Sequence, residues 1–194
     1  MVIRTLVLLM LVCVQQAFAQ QASLESAEIR RTENSLVLAT TVALDLTGPV
    51  ENALSKGIAV SFVSQVRLEK ARWYWYDKVL YQSERQARLS YLPLTRKWRV
   101  QFSEAPSLSE TGLSQQFDSL ISALAVIRKA PELKLIDTSD LDIGAKYEAI
   151  YAFKLDTSQL PKPFQLGAAL GPEWHLGVNK SIRFTFDAKS DVYR

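Results

Sequence analysis

Nine basic residues lie between Arg67 and Arg99 (Arg67, Lys70, Arg72, Lys78, Arg85, Arg88, Arg96, Lys97 and Arg99), against three acids, Glu69, Asp77 and Glu84. That stretch carries a charge of +6 and holds seven aromatics: Trp73, Tyr74, Trp75, Tyr76, Tyr81, Tyr91 and Trp98. Guanidinium forks and flat rings together suit anions, because the forks pair with carboxylates or phosphates and the rings stack. The candidate contacts are Arg72, Trp73, Trp75, Arg85, Arg88, Arg96 and Arg99. The bland alternative is a sheet with its aromatics packed inward and its arginines solvated over apolar stems. Alternation sets Trp73 and Trp75 on one side and Tyr74 and Tyr76 on the other, so one pair lies outside the main core.

Other chemistry is thinly represented. Asp137, Asp140 and Asp142, with Gly144, resemble the first part of a calcium loop, but the position for the closing carboxylate is Tyr151. A polar loop is the better reading, and neither metal nor cofactor is expected. His175, beside Trp174, is the single histidine, which excludes a site needing two imidazoles; no nucleophile is marked for it. Cys13 is the single cysteine and falls in the leader described below, so the mature chain has no thiol chemistry. Gly-x-Ser-x-Gly, Ser-x-x-Lys, His-Glu-x-x-His and Gly-x-x-x-x-Gly-Lys are all missing. Lys162, between Pro161 and Pro163, sits on a stiff segment that suits a corner over the core or a peptide dock. Two functional classes remain. One is a non-enzymatic binding or accessory module; the other is a cofactor-free hydrolase cleaving envelope polymers with a carboxylate pair, which has no local motif.

The elements that position these residues begin after an export signal. Arg4, the apolar run Thr5 to Val14 and Ala17-Phe18-Ala19 read as a signal peptide over residues 1–19, cleaved after Ala19. The chain is then periplasmic, which argues against nucleic acid and leaves anionic lipid, glycan or an acidic protein as partner classes. No later apolar stretch reaches the ~18 residues of a membrane span. Hydrophobic content of 48% with 22% charged predicts a packed domain. Residues 20–26 are expected to fray, 27–187 to form one globular domain, and 188–194 to be a flexible tail.

Alternation predicts strands over Leu36–Leu46, from Ile58 onward, over Arg85–Leu92 and Lys97–Phe102, over Tyr147–Leu155, and over Ile182–Phe186. Whether Ile58 to Tyr76 is one bent strand or two is left open by periodicity. Pro49 starts a short helix that Gly57 closes, and Pro163 starts another ending before Gly171. Leu113, Phe117, Leu120, Ile121, Leu124 and Ile127 predict one long helix, capped by Ser109 or Ser114 and stopped by Pro131. The expected fold is α+β. A mainly antiparallel meander, with a sandwich as its closed form, carries one principal helix and one or two short ones. Phe117, Leu120, Leu124, Phe153 and Phe184 are expected to share one core.

Two segments carry a family resemblance: Ser90-Tyr91-Leu92-Pro93-Leu94-Thr95-Arg96-Lys97-Trp98-Arg99-Val100, and Leu155-Asp156-Thr157-Ser158-Gln159-Leu160-Pro161-Lys162-Pro163-Phe164-Gln165. With the Arg72–Asp77 cluster and Trp174-His175-Leu176, they resemble a proteobacterial family of exported proteins known as domain of unknown function 4390. The resemblance spans roughly Ala27 to Phe186. It implies proximity to genes for a nitrogen-responsive sensor kinase and regulator, hence a link to envelope signalling. It brings no activity and no catalytic residue.

Overall fold

The computed structural model describes residues 22–72, 76–104, 113–187 and 189–194. Strong alternation builds its centre. In β2 (Ser35–Leu44), Leu36, Leu38, Thr40, Val42 and Leu44 are buried while their neighbours are half-buried. In β3 (Val60–Lys70) and β8 (Lys146–Asp156) the inward rows are Val60, Phe62, Val66, Leu68 and Tyr147, Ala149, Tyr151, Phe153, Leu155. Such rows bury one face of each strand, so two sheets must face each other to cover them. They do. A four-stranded sheet, ordered β10 (Val192–Tyr193), β1 (Ala22–Arg31), β2 and β7 (Leu133–Asp137), faces a six-stranded sheet ordered β6 (Leu113–Phe117), β5 (Lys97–Glu104), β4 (Lys78–Leu92), β3, β8 and β9 (Gly177–Thr185), and both inner faces join one hydrophobic cluster. All the pairings are antiparallel. The expected α+β fold, with its sandwich closure, is what the chain adopts.

The meander β3, β4 (Lys78–Leu92) and β5 (Lys97–Glu104) follows the expected course. β3 is a single strand that stops at Lys70, paired with Lys78, and the Asp77 carboxylate accepts the Arg72 backbone N–H at 3.0 Å. Helix α1 (Gly48–Ser55) carries Pro49 at its start and buries Val50, Ala53 and Leu54. Gly57 follows at φ 80°, a left-handed position where a side chain is disfavoured. Helix α3 (Lys162–Leu170) begins at the double proline and ends before Gly171, and β9 (Gly177–Thr185) carries Ile182 and Phe184 inward.

Three expectations are corrected. The long helix is in fact an edge strand, β6 (Leu113–Phe117), followed by a nine-residue helix, α2 (Leu120–Arg128). Leu113 and Phe117 pair with Phe102 and Trp98 of β5. Positions i and i+4 share a face in a strand as well as in a helix, so their spacing could not separate the two. Ser114 therefore caps nothing, Ser109 lies outside the described residues, and the cap is Ser119, whose hydroxyl accepts the Ser122 N–H at 3.1 Å. We expect Ser119→Ala to lower stability by about 1 kcal/mol, read from the urea midpoint; an unchanged midpoint would mean that water replaces the cap at no cost.

The second correction concerns Ala22 to Ser26, expected to fray. They form the first half of β1 (Ala22–Arg31), with Ala22 opposite Leu44 and a bulge between Leu24 and Ser26. Main-chain bonds to β2 hold this half, so its polar side chains gave no alternation to read. The third is the tail. β10 (Val192–Tyr193) pairs with Ile29 and Arg30, the Tyr193 ring packs 4.6 Å from Phe184, and its hydroxyl donates to the Asp187 carbonyl at 3.1 Å. One aromatic anchors the tail. β7 (Leu133–Asp137), five residues on the edge beside β2, was too short to announce itself.

Of the five expected core residues, Leu124, Phe153 and Phe184 are buried, while Phe117 and Leu120 are half-buried against the same cluster.

Candidate functional site

The inward rows are interrupted at one level. Thr40 breaks the apolar series in β2, Ser64 in β3, Arg85 in β4 and Tyr151, with its hydroxyl, in β8. Register brings these interruptions together: Ser64 stands opposite Arg85, Arg85 opposite Glu104 of β5, and Val66 opposite Tyr151. Around them the sheets enclose a cavity of about 450 Å³. Its apolar wall includes Leu38, Val66, Phe102, Leu113, Pro131 and Leu133.

Arg85 is the unusual member. Its stem runs inward, and its guanidinium carbon lies 4.1 Å from the centre of the Phe102 ring, a cation–π contact. It makes no hydrogen bond or ion pair with any described residue. Burial pulls its pKa below the ordinary arginine value, opposed by the charge of Glu104 and by Tyr151; arginine stays charged regardless. A half-buried cation is normally paired. Tyr151 is buried, which pushes its phenol above the usual value against the opposing influence of the nearby Thr40 and Ser64 hydroxyls and of Arg85. The phenol is therefore protonated near neutrality and able to donate. Glu104, exposed at the rim, is the one carboxylate among the described residues that line the cavity.

The segment after α2 arches over this space. Lys129 bridges to Thr41 of β2 and Leu133 pairs with Leu38, so Ala130–Glu132 spans the two anchors with one residue more than the facing stretch of β2. A second, more open cleft of about 780 Å³ lies against the arch, and both spaces are lined by Thr40, Arg85, Phe102, Ala130 and Pro131. Its carboxylates Glu28 and Glu132 both pair with Arg30, at 3.5 and 3.2 Å.

The fold separates the residues that the charge count grouped. Arg85 faces inward. Arg88, three residues on, and Arg99, opposite Ser90, lie on the outer face of the six-stranded sheet by alternation. Arg96 is exposed in the β4–β5 turn at φ 53°, and Arg72 is exposed beyond the end of β3. At the rise of an extended strand each of those ends is roughly 20 Å from the level of Arg85. Trp73 and Trp75 lie outside the described residues. Asp142 pairs with Lys70 and Asp137 with Lys134, so the acids of the calcium-like loop are engaged separately. The His175 Nδ1 contacts the Gly171 carbonyl at 3.1 Å, and Lys162 opens α3. Sequence reasoning missed Thr40, Ser64, Tyr151 and Phe102 as site residues. Their signal was present as polar groups standing at inward positions of otherwise apolar rows.

A two-sheet antiparallel sandwich with a cation-bearing cavity between its sheets is the class of molecule this geometry defines. The chain belongs to the family described as domain of unknown function DUF4390, whose model matches residues 19–184. No curated protein and no solved structure matches it.

Proposed function

We propose that this is an exported, periplasmic and non-enzymatic binding module, with the space between its sheets as the ligand site. The observation that carries the reading is Arg85, a half-buried cation that forms no hydrogen bond or ion pair with any described residue and lies over Phe102 in a largely apolar cavity. Export rests on the basic start, short apolar run and Ala17-Phe18-Ala19 of the leader. A cavity of this size falls within the ~300–1,000 Å³ of small-molecule sites, where apolar walls hold the body and a few polar groups fix orientation. The basic stretch Arg67–Arg99 contributes Arg85 to the site and Arg88 and Arg99 to the outer surface, where they steer anions at long range. Among the described residues Glu104 is the one carboxylate in the cavity, so the hydrolase reading has no carboxylate pair to rest on there.

The test uses two fluorescent probes, anilinonaphthalene sulfonate, apolar with one negative charge, and neutral Nile red. A charge-assisted hydrogen bond contributes ~1.5–3 kcal/mol, so Arg85→Gln should weaken the anionic probe ~10- to 100-fold and leave Nile red unchanged. Arg88→Gln with Arg99→Gln should alter neither, with thermal midpoints confirming that all three proteins are folded. If the outer-face pair loses the anionic probe while Arg85→Gln retains it, the site is the sheet surface and the cavity reading fails.

A further inference from the structure

We infer that the cavity's ligand is a single-chain amphiphile ending in a carboxylate, such as a free fatty acid, with its head on Arg85 and its hydrocarbon between the sheets. This rests on the binding-module reading and goes beyond it in naming the ligand class.

Three observations converge on the head group. The guanidinium is a planar fork whose N–H groups bond to no described residue, and a carboxylate matches it with two parallel hydrogen bonds. The Ser64, Thr40 and Tyr151 hydroxyls line the same cavity and interact with one another, which makes this end of it polar. Glu104, directly opposite Arg85 on β5, limits the charge that the site accepts. Among the described residues one cation and one carboxylate line the cavity, a net charge of zero, so a monoanion gains the hydrogen bonds of the guanidinium against one repulsion, whereas the second negative charge of a phosphate monoester adds only repulsion from Glu104.

The rest of the lining specifies the tail. Leu38, Val66, Leu113, Pro131 and Leu133 offer no hydrogen-bonding side chain, and beyond the head-group residues only the small hydroxyls of Ser83 and Ser103 are added, too few to replace the hydration of a sugar or peptide body. About 450 Å³ stands near the lower end of small-molecule sites and suits one chain rather than two. Hydrocarbon is what such a wall rewards, at ~0.8 kcal/mol for each methylene buried.

The experiment displaces the anionic fluorescent probe from the intact purified protein with octanoate, dodecanoate and hexadecanoate, each below its micelle concentration. Dodecanol and dodecyl phosphate run alongside as neutral and dianionic comparators of equal chain length. Affinity should rise steeply from octanoate to dodecanoate, by up to about fourfold per methylene buried. Dodecanoate should bind ~10-fold or more tightly than dodecanol, and better than dodecyl phosphate above neutral pH. Arg85→Gln should erase the advantage of dodecanoate over dodecanol, and Glu104→Gln should improve dodecyl phosphate selectively. Val66→Trp, which fills the cavity without touching the charge, should block every chain. Equal binding of alkanol and alkanoate, or preference for the phosphate, overturns the carboxylate assignment. If the probe binds through Arg85 but no alkanoate displaces it, the ligand class falls and the binding module stands. If the wild-type protein takes up no probe, both fall.

Discussion

Replacing Phe153 by alanine lowers stability by about 3–5 kcal/mol, the largest loss expected from a single side chain here. Its ring is 2% exposed and stacks on Phe62 of the neighbouring strand, with centroids 5.7 Å apart and planes within 10°. Both rings lie on the inner face of the six-stranded sheet, close to the site level, since Ser64 is the cross-strand partner of Phe153. Truncation removes the transfer energy of the ring and leaves a hole that two stiff sheets cannot close. A double-mutant cycle with Phe62→Ala should return a coupling of about 0.5–1.5 kcal/mol beyond the area terms. Urea denaturation followed by near-ultraviolet circular dichroism measures both. A loss below ~1.5 kcal/mol for Phe153→Ala, the level of a conservative core swap, would mean that the sheets collapse over the gap.

The second large effect discriminates between two faces of α2. Leu124 is 5% exposed and Ile121 is 77% exposed, although the apolar spacing placed both on the buried side. Leu124→Ala should cost about 2–5 kcal/mol, and Ile121→Ala no more than ~0.5 kcal/mol. The buried stripe is Ala123, Leu124 and Ile127, turned toward β2 and β5. Comparable losses from both substitutions would show that the helix buries a wider face than Leu124 and its neighbours provide.

These two cases show which parts of the fold sequence could reveal. β2, β3 and β8 were legible because each buries one complete face, so period-two alternation is imposed by the core itself. The two-sheet closure follows from the same rows. β1, β7 and β10 bury only isolated side chains, Ala22 and Ile29, Leu135, and Tyr193, so no repeated alternation marks them and their main-chain pairing leaves no trace in the side-chain pattern. The start of α2 was ambiguous because Leu113 and Phe117 satisfy both periodicities, and only the Asp118-Ser119 break separates them.

At the site, the charge count identified the correct stretch and grouped its residues by proximity in sequence. Parity divides them. Arg85 shares its face with Ala87 and Leu89, both buried, while Arg88 does not. That division was readable. The placement of Ser64 opposite Arg85 was not, since it is set by the length of the connection between β3 and β4. Nor could any local pattern bring Thr40, more than forty residues before Arg85, to the same level from the other sheet.

The arch from Lys129 to Leu133 bears on ligand length. It is fastened to β2 at both ends, and its Ala130 and Pro131 line both the inner cavity and the outer cleft. Were the two spaces to join beside it, a ligand chain longer than the inner chamber would pass Pro131, which has no N–H of its own to leave unsatisfied. On the reading proposed above, the site would then be strict about the head of its guest and permissive about the tail, and a mixture of chain lengths would be sampled as one population.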